Sequence, residues 1–100
     1  MTVEVHVSGR IETGRFAEFI TAAARWGEYR RQAGYVELRL LQGLSGEMNS
    51  VVLVFEYPEL GAYEEEEGRV LEDEEYVRLA MAMPFDGPLH YAIFRRLSAT

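Results

Sequence analysis

The chain has 100 residues, 48% of them hydrophobic, which suits one domain with a modest core and excludes a disordered protein. Its net charge of −7 removes the attraction to phosphate that dominates nucleic-acid binding, and it disfavours anionic membranes for the same reason. The sequence contains no Cys and no Lys, which excludes disulfides, thiolate zinc sites, Cys nucleophiles and lysine Schiff bases.

The composition also indicates an origin and a compartment. All ten basic residues are Arg, and Asn and Gln are sparse. This bias is typical of a thermophile, although a GC-rich genome would produce it too. No apolar run approaches the ~20 residues of a membrane span, and the chain enters a strand without a signal peptide. We therefore expect a cytoplasmic protein of a bacterium or archaeon.

The first half of the chain predicts a strand, a helix and a second strand. Residues 2–10 alternate apolar and polar side chains, as a strand with one buried face does. A helix should follow, with Thr13 as its cap and Gly34 as its end. Residues 35–41 alternate again and predict the second strand. The apolar residues at helical spacing between them are Phe16, Phe19, Ile20, Ala23 and Trp26.

The second half predicts two more strands and two helical segments. Residues 43–50 are rich in Gly and Ser and predict a loop. Residues 51–57 are almost continuously apolar, which predicts a central strand buried on both faces and ended by Pro58. A helix over 60–71 should break at Glu72 and Asp73 and continue as a shorter helix over 74–83. After a turn at 84–88, residues 89–97 predict the last strand.

This order predicts one α+β domain over residues 1–100 with the ferredoxin-like βαββαβ plan. Such a domain has a four-stranded antiparallel sheet with its helices on one face. The other face would mix charged and apolar groups. Such a face is too apolar to be exposed to solvent and too charged to be buried in a dry core. A second copy of the chain, packed sheet on sheet, is the simplest cover. The residues predicted on this face are Glu4, His6, Glu37, Arg39, Val52, Val54 and Glu56.

Two stretches carry a resemblance to a known family. The opening EVHVSGRIETGRFAEFI resembles the first strand and helix start of NIPSNAP-like proteins. The stretch SVVLVFEYPELGAYEEEEGRVLEDEEYVRL resembles the signature of the same family, with residues 55–57, Leu60 and Tyr76 at matching positions. Here residues 74–76, Glu-Glu-Tyr, replace the Pro-Glu-Trp of the family. The antibiotic-biosynthesis monooxygenases share this layout and are the second choice.

The resemblance implies the dimeric α+β barrel, in which two sheets close a barrel and each subunit has a pocket between helices and sheet. Members of this superfamily include cofactor-free monooxygenases, haem-degrading enzymes and domains without known activity. The haem-degrading members share an Asn, Trp, His set, whereas Asn49, the only Asn here, falls in a predicted loop. We therefore expect neither haem nor any other cofactor. The resemblance also places Tyr57 and Tyr76 where the third strand meets the second helix, which they would lock onto the sheet.

Two histidines are candidate catalytic residues, because His exchanges protons near neutral pH. His6 lies on the polar face of the first strand, where it either moves a proton or pairs with a carboxylate at a dimer interface. His90 opens the last strand and faces either the mouth of the pocket or water. For both residues the structural interpretation is favoured. Neither has the spacing to further ligands that a metal requires, so we expect no metal site.

A second set of candidates would line the pocket. Trp26, Tyr29 and Arg30 lie one turn apart on the first helix, where Arg30 would hold a ligand oxygen beside aromatic rings. The alternative is that Trp26 closes the core while Arg30 extends to solvent. Phe19 and Met81 complete the candidate lining. The four Glu at 64–67 fan around a helix axis instead of converging, and predict a solvated face.

Two classes of function remain open. The first is a small homodimeric α+β-barrel protein of unassigned activity that binds a small hydrophobic or aromatic molecule between helices and sheet. The second is a cofactor-free monooxygenase, in which the first helix would position the substrate and a histidine would move its proton. A cavity with polar groups pointing inward favours the enzyme, and a filled pocket favours the first class. We favour the first class because no convergent catalytic set is visible.

Overall fold

The computed structural model describes residues 1–98, which form four strands and three helices. In chain order these elements are β1 (Val3–Arg10), α1 (Phe16–Gln32), β2 (Leu38–Gln42), β3 (Ser50–Tyr57), α2 (Leu60–Leu71), α3 (Glu74–Met81) and β4 (His90–Arg95). No helix in the described part of the chain is both long enough and apolar enough to cross a membrane.

The strands form one antiparallel sheet in the order β2-β3-β1-β4. Strand β1 is central, with Val5 opposite Phe55 on one side and opposite Ile93 on the other. The helices pack on the face that carries these residues. The predicted α+β, ferredoxin-like fold is therefore confirmed.

The core lies between this sheet face and the helices. Alternation along β1 and β3 directs Val5, Leu53 and Phe55 inward, where they join Phe19 and Trp26 of α1 in one buried cluster. Strand β4 is different, because all six of its residues are exposed. The helix-facing side of β4 is therefore only partly covered, and this leaves an opening beside α2 and α3.

The limits of α1 and β2 differ from the predicted ones. Helix α1 begins at Phe16 with Arg15 as its N-cap, and no side chain caps it, so Thr13 lies too far upstream to do so. Strand β2 begins at Leu38 instead of residue 35, because two side chains form hydrogen bonds with the backbone that precedes Leu38. The N–H of Val36 donates to Glu66 and its carbonyl accepts from Arg30, so it cannot join the sheet ladder. Glu37 consequently precedes the sheet.

The break between the second and third helices falls where the sequence predicts it. Asp73 is the N-cap of α3 and accepts a hydrogen bond from the backbone N–H of Tyr76 at 3.1 Å. Its carboxylate also accepts from the hydroxyls of Tyr29 and Tyr35 at 2.8 Å each. These bonds lower the pKa of Asp73, with the Tyr29 bond contributing most. Asp73 thus ties the start of α3 to the end of α1.

Candidate functional site

The site is built on the inward stripe of α1. Phe19, Ala23, Trp26 and Arg30 follow one another at spacings of four, three and four, and all of them are buried. A charged residue on such a stripe must find partners, since an unpaired buried charge is costly. Arg30 is only 2% exposed, so it does not extend to solvent as the alternative interpretation of the sequence had it.

The partner of Arg30 comes from α2. Helical spacing places Glu66 on the same inward face as Ala62 and Val70, and its side chain is buried. Glu66 Oε2 accepts from Arg30 Nη2 at 3.0 Å and from the hydroxyl of Tyr57, and Oε1 accepts from the N–H of Val36 at 2.8 Å. The expectation of a solvated face over 64–67 is therefore wrong for Glu66, which is buried, whereas the other three glutamates are exposed.

Arg30 connects three further parts of the fold. Its Nε and Nη2 atoms donate to the carbonyl of Val36 at 3.2 and 2.8 Å, and Nη1 donates to the hydroxyl of Tyr76 at 2.8 Å. The guanidinium also lies 4.7 Å from the ring centroid of Phe55, within cation–π range. We call Arg30, Tyr57, Glu66 and Tyr76 the polar cluster.

The protonation states of the polar cluster follow from its burial. Burial raises the pKa of Tyr76 to about 12, against the opposing influence of Arg30. Burial, followed by the bond to Glu66, raises the pKa of Tyr57 as well. For Arg30, burial acts to lower the pKa, but Tyr76 and Glu66 outweigh it and the net shift is upward. At neutral pH both tyrosines are therefore protonated donors, and Arg30 is charged.

A cavity of about 260 Å³ lies between the helices and the sheet, with the polar cluster in its lining. Its other walls are mostly apolar, with Trp26 and Phe85 among them. Met81 and Tyr91 also line it and are largely solvent-exposed, so they form its rim. The charged residues in the lining are Arg30, Glu66 and Glu67. The cavity is therefore a mostly apolar pocket with one polar end, which the polar cluster forms.

Three of the five predicted lining residues border this cavity, namely Trp26, Arg30 and Met81. Phe19 does not, because it packs in the core against the rings of Phe16 and Phe85 at centroid distances of 5.9 and 5.5 Å. Tyr29 does not either, because α1 turns it toward Asp73, to which its hydroxyl donates. These two assignments are corrected.

The two histidines lie away from the cavity. His6 and His90 lie on the sheet face away from the helices. In the pairing of β1 with β4, His6 is the partner of Ala92 and His90 is the partner of Ser8. His6 Nε2 is 3.1 Å from Glu4 Oε1, and its ring meets that of Phe94 edge-on at 4.8 Å. Neither residue can exchange a proton with a molecule in the cavity. Among residues 1–98, no three His, Asp or Glu side chains are arranged to hold a metal ion.

Most of the polar cluster is not evident from the sequence as a functional unit. The sequence indicates only a packing role for Tyr57 and Tyr76, and a surface position for Glu66. Tyr57 does hold α2, through its bond to Glu66 and its ring contact with Tyr63. Tyr76 belongs to α3 and packs edge-on against Trp26 at 5.6 Å, so it holds α3 to α1 instead. The spacing of Glu66 from Val70 was the one signal that could have revealed it.

Comparisons with known proteins identify the fold. No family model matches the sequence, and no curated protein matches it. Among solved structures, an uncharacterised NIPSNAP domain protein from Burkholderia xenovorans is 22% identical, with a TM-score of 0.80 over 100% of this chain and 98% of that one. A NIPSNAP family protein from Agrobacterium tumefaciens is 14% identical, with a TM-score of 0.81 over 100% and 97%.

A third structure comes from Nitrosomonas europaea, and its assignment as an antibiotic biosynthesis monooxygenase is provisional. It is 17% identical, with a TM-score of 0.76 over 99% of this chain and 93% of that one. At such identities the likeness establishes the fold and leaves the activity open. The chain therefore has the α+β fold that NIPSNAP domain proteins share with antibiotic biosynthesis monooxygenase-like proteins, as the resemblance in its sequence predicted.

Proposed function

We propose that this chain is a homodimeric binding protein for a small hydrophobic or aromatic molecule, held between the helices and the sheet. The observation that carries the proposal is the cavity of about 260 Å³, which the side chains of the chain leave unfilled. Well-packed interiors contain few voids of this size, and apolar walls open to water are unfavourable. A pocket with mostly apolar walls and a few polar groups is the usual form of a ligand site.

The dimer part of the proposal is supported by the sheet face opposite the helices. Leu41 and Phe94 lie on it and are each about half exposed. Between them, Arg96 donates to Glu4 at 2.6 Å and to Glu56 at 2.8 Å, and Arg39 lies 3.8 Å from Glu4, so two arginines offset the two carboxylates within the chain. Neutralised charges beside exposed apolar groups suit burial against an identical sheet, since a two-fold axis matches one patch to itself.

A cofactor-free monooxygenase remains the second candidate, since the cavity is unfilled and polar groups border it. Those groups, however, are already engaged with one another. Both oxygens of Glu66 accept hydrogen bonds within the chain, so Glu66 is not free to act as a general base. The histidines lie on the other face of the sheet. The enzyme would consume O₂ when given an aromatic substrate, and a binding protein would not.

Filling the cavity tests the proposal. Ala80 of α3 lines the cavity, and Ala80→Phe would place a ring in the space that we assign to the ligand. We expect the wild type to bind ethylnaphthalene, an apolar ring compound, and the variant to lose at least tenfold in affinity by calorimetry. The matched control is Ala82→Phe, because Ala82 is exposed just after α3 and outside the cavity.

The control variant should bind as the wild type does. Equal affinity of the wild type and Ala80→Phe would place the binding site elsewhere. Failure of the wild type to bind either ethylnaphthalene or any other ring compound of its size would contradict the proposed pocket directly.

A further inference from the structure

The polar end of the cavity carries no net positive charge. Arg30 is paired with Glu66 at 3.0 Å, so its charge is offset within the pocket wall. The remaining charged residue of the lining is Glu67, which is negative. A ligand carboxylate would therefore meet a wall that is neutral to negative, and it would lose its hydration without gaining a counter-charge. This favours an uncharged ligand.

Within the polar cluster, Tyr76 has a hydrogen-bond donor left over. The hydroxyl of Tyr76 accepts from Arg30, but among residues 1–98 its own proton has no acceptor. A buried donor without an acceptor costs about 1–3 kcal/mol. The acceptor within the polar cluster, Glu66, by contrast already receives three bonds.

The surroundings of Tyr76 fix its hydroxyl as a donor. Its ring is held edge-on between those of Trp26 and Tyr35, at centroid distances of 5.6 and 5.5 Å. A cation donating to a hydroxyl oxygen polarises the O–H bond and strengthens the bond that the hydroxyl can donate in turn. Burial also raises the pKa of Tyr76 to about 12, so the proton is retained at neutral pH.

Resting on the proposed pocket function, we propose that the ligand is a neutral, small ring compound with a carbonyl oxygen, and that the hydroxyl of Tyr76 donates a hydrogen bond to that oxygen. The carbonyl enters the polar end, and the rings lie against the apolar walls. The site thereby selects ketones and quinones over hydrocarbons, which offer no acceptor, and over carboxylates, which carry a charge.

Three naphthalene probes of similar size test this selectivity by calorimetry: acetylnaphthalene, ethylnaphthalene and naphthoate. For the wild type we expect acetylnaphthalene to bind about tenfold more tightly than ethylnaphthalene, as one hydrogen bond allows, and naphthoate to bind more weakly than either. Tyr76→Phe should abolish the preference for the ketone, so that acetylnaphthalene and ethylnaphthalene bind with equal affinity. Tyr29→Phe, which removes a tyrosine hydroxyl outside the cavity, should keep the preference.

A spectroscopic measurement on the wild type keeps the inference testable if Tyr76→Phe fails to fold. The carbonyl stretching band of bound acetylnaphthalene should shift to lower wavenumber, as it does when the oxygen accepts a hydrogen bond. An unshifted band would overturn the inference, and so would equal binding of ketone and hydrocarbon or retention of the preference in Tyr76→Phe. Binding of none of the probes would instead contradict the pocket function itself.

Discussion

Replacing Glu66 with glutamine is expected to lower the free energy of unfolding by about 3–5 kcal/mol, because it leaves Arg30 buried without a counter-charge. Arg30 is 2% exposed and Glu66 8%, so water cannot take over the lost interaction. Glutamine matches glutamate in size, which separates the loss of charge from any change in packing. Urea denaturation at equal protein concentration gives the comparison, since a dimer has concentration-dependent stability.

The neighbouring residue supplies the control. Glu65 lies on the exposed side of α2, and Glu65→Gln should change the stability by no more than about 0.5 kcal/mol. The double variant Arg30→Met/Glu66→Gln should lose less than the sum of the two single losses, because the partners act as a unit. Equal effects of the two Glu→Gln changes, or strict additivity in the double variant, would mean that the pair is not the buried unit described.

Replacing Phe94 with glutamate is expected to convert the proposed dimer into a monomer. Phe94 stands on the sheet face opposite the helices, directly across from Glu4, so the new carboxylate would meet both its neighbour and the identical patch of the second copy. Sedimentation of the wild type at micromolar concentration should give about twice 11.4 kDa, and the variant should sediment at 11.4 kDa.

The adjacent residue of the same strand tests whether the face matters. Ile93 is as exposed as Phe94, at 49% against 52%, but it points to the helix side of the sheet. Ile93→Glu should remain a dimer. A monomeric wild type would refute the proposed assembly, whereas loss of the dimer in both variants would move the interface to the edge of β4.

The strands and helices could be predicted because their patterns are local. Alternation along β1 specifies one buried face, and the almost continuously apolar run of β3 indicates a central strand, both without reference to the rest of the chain. Helix α2 has the limits expected from its sequence, since Pro58 precedes it and the turn at Asp73 follows it. The order of these elements then allows few topologies, and the ferredoxin-like plan is the simplest of them.

The polar cluster could not be predicted because its members come from distant parts of the chain. Arg30 and Glu66 are 36 positions apart, and although the sequence offers Arg30 as a pocket residue, nothing near Arg30 in the sequence indicates Glu66 as its partner. Each is buried because the other pairs with it, and the spacing of Glu66 from Val70 shows a shared helix face but not this pairing. The start of β2 was missed for the same reason, since the backbone of Val36 is taken up by these two side chains.

A crystal structure of the protein grown with acetylnaphthalene tests the central claim most directly, namely that the cavity between helices and sheet is a ligand site. We predict density for the ring system between Trp26 and the rim at Met81 and Tyr91, with the carbonyl oxygen within hydrogen-bond distance of Tyr76 Oη. A cavity that stays empty, or that closes because Met81 and Tyr91 fold into it, would contradict the account.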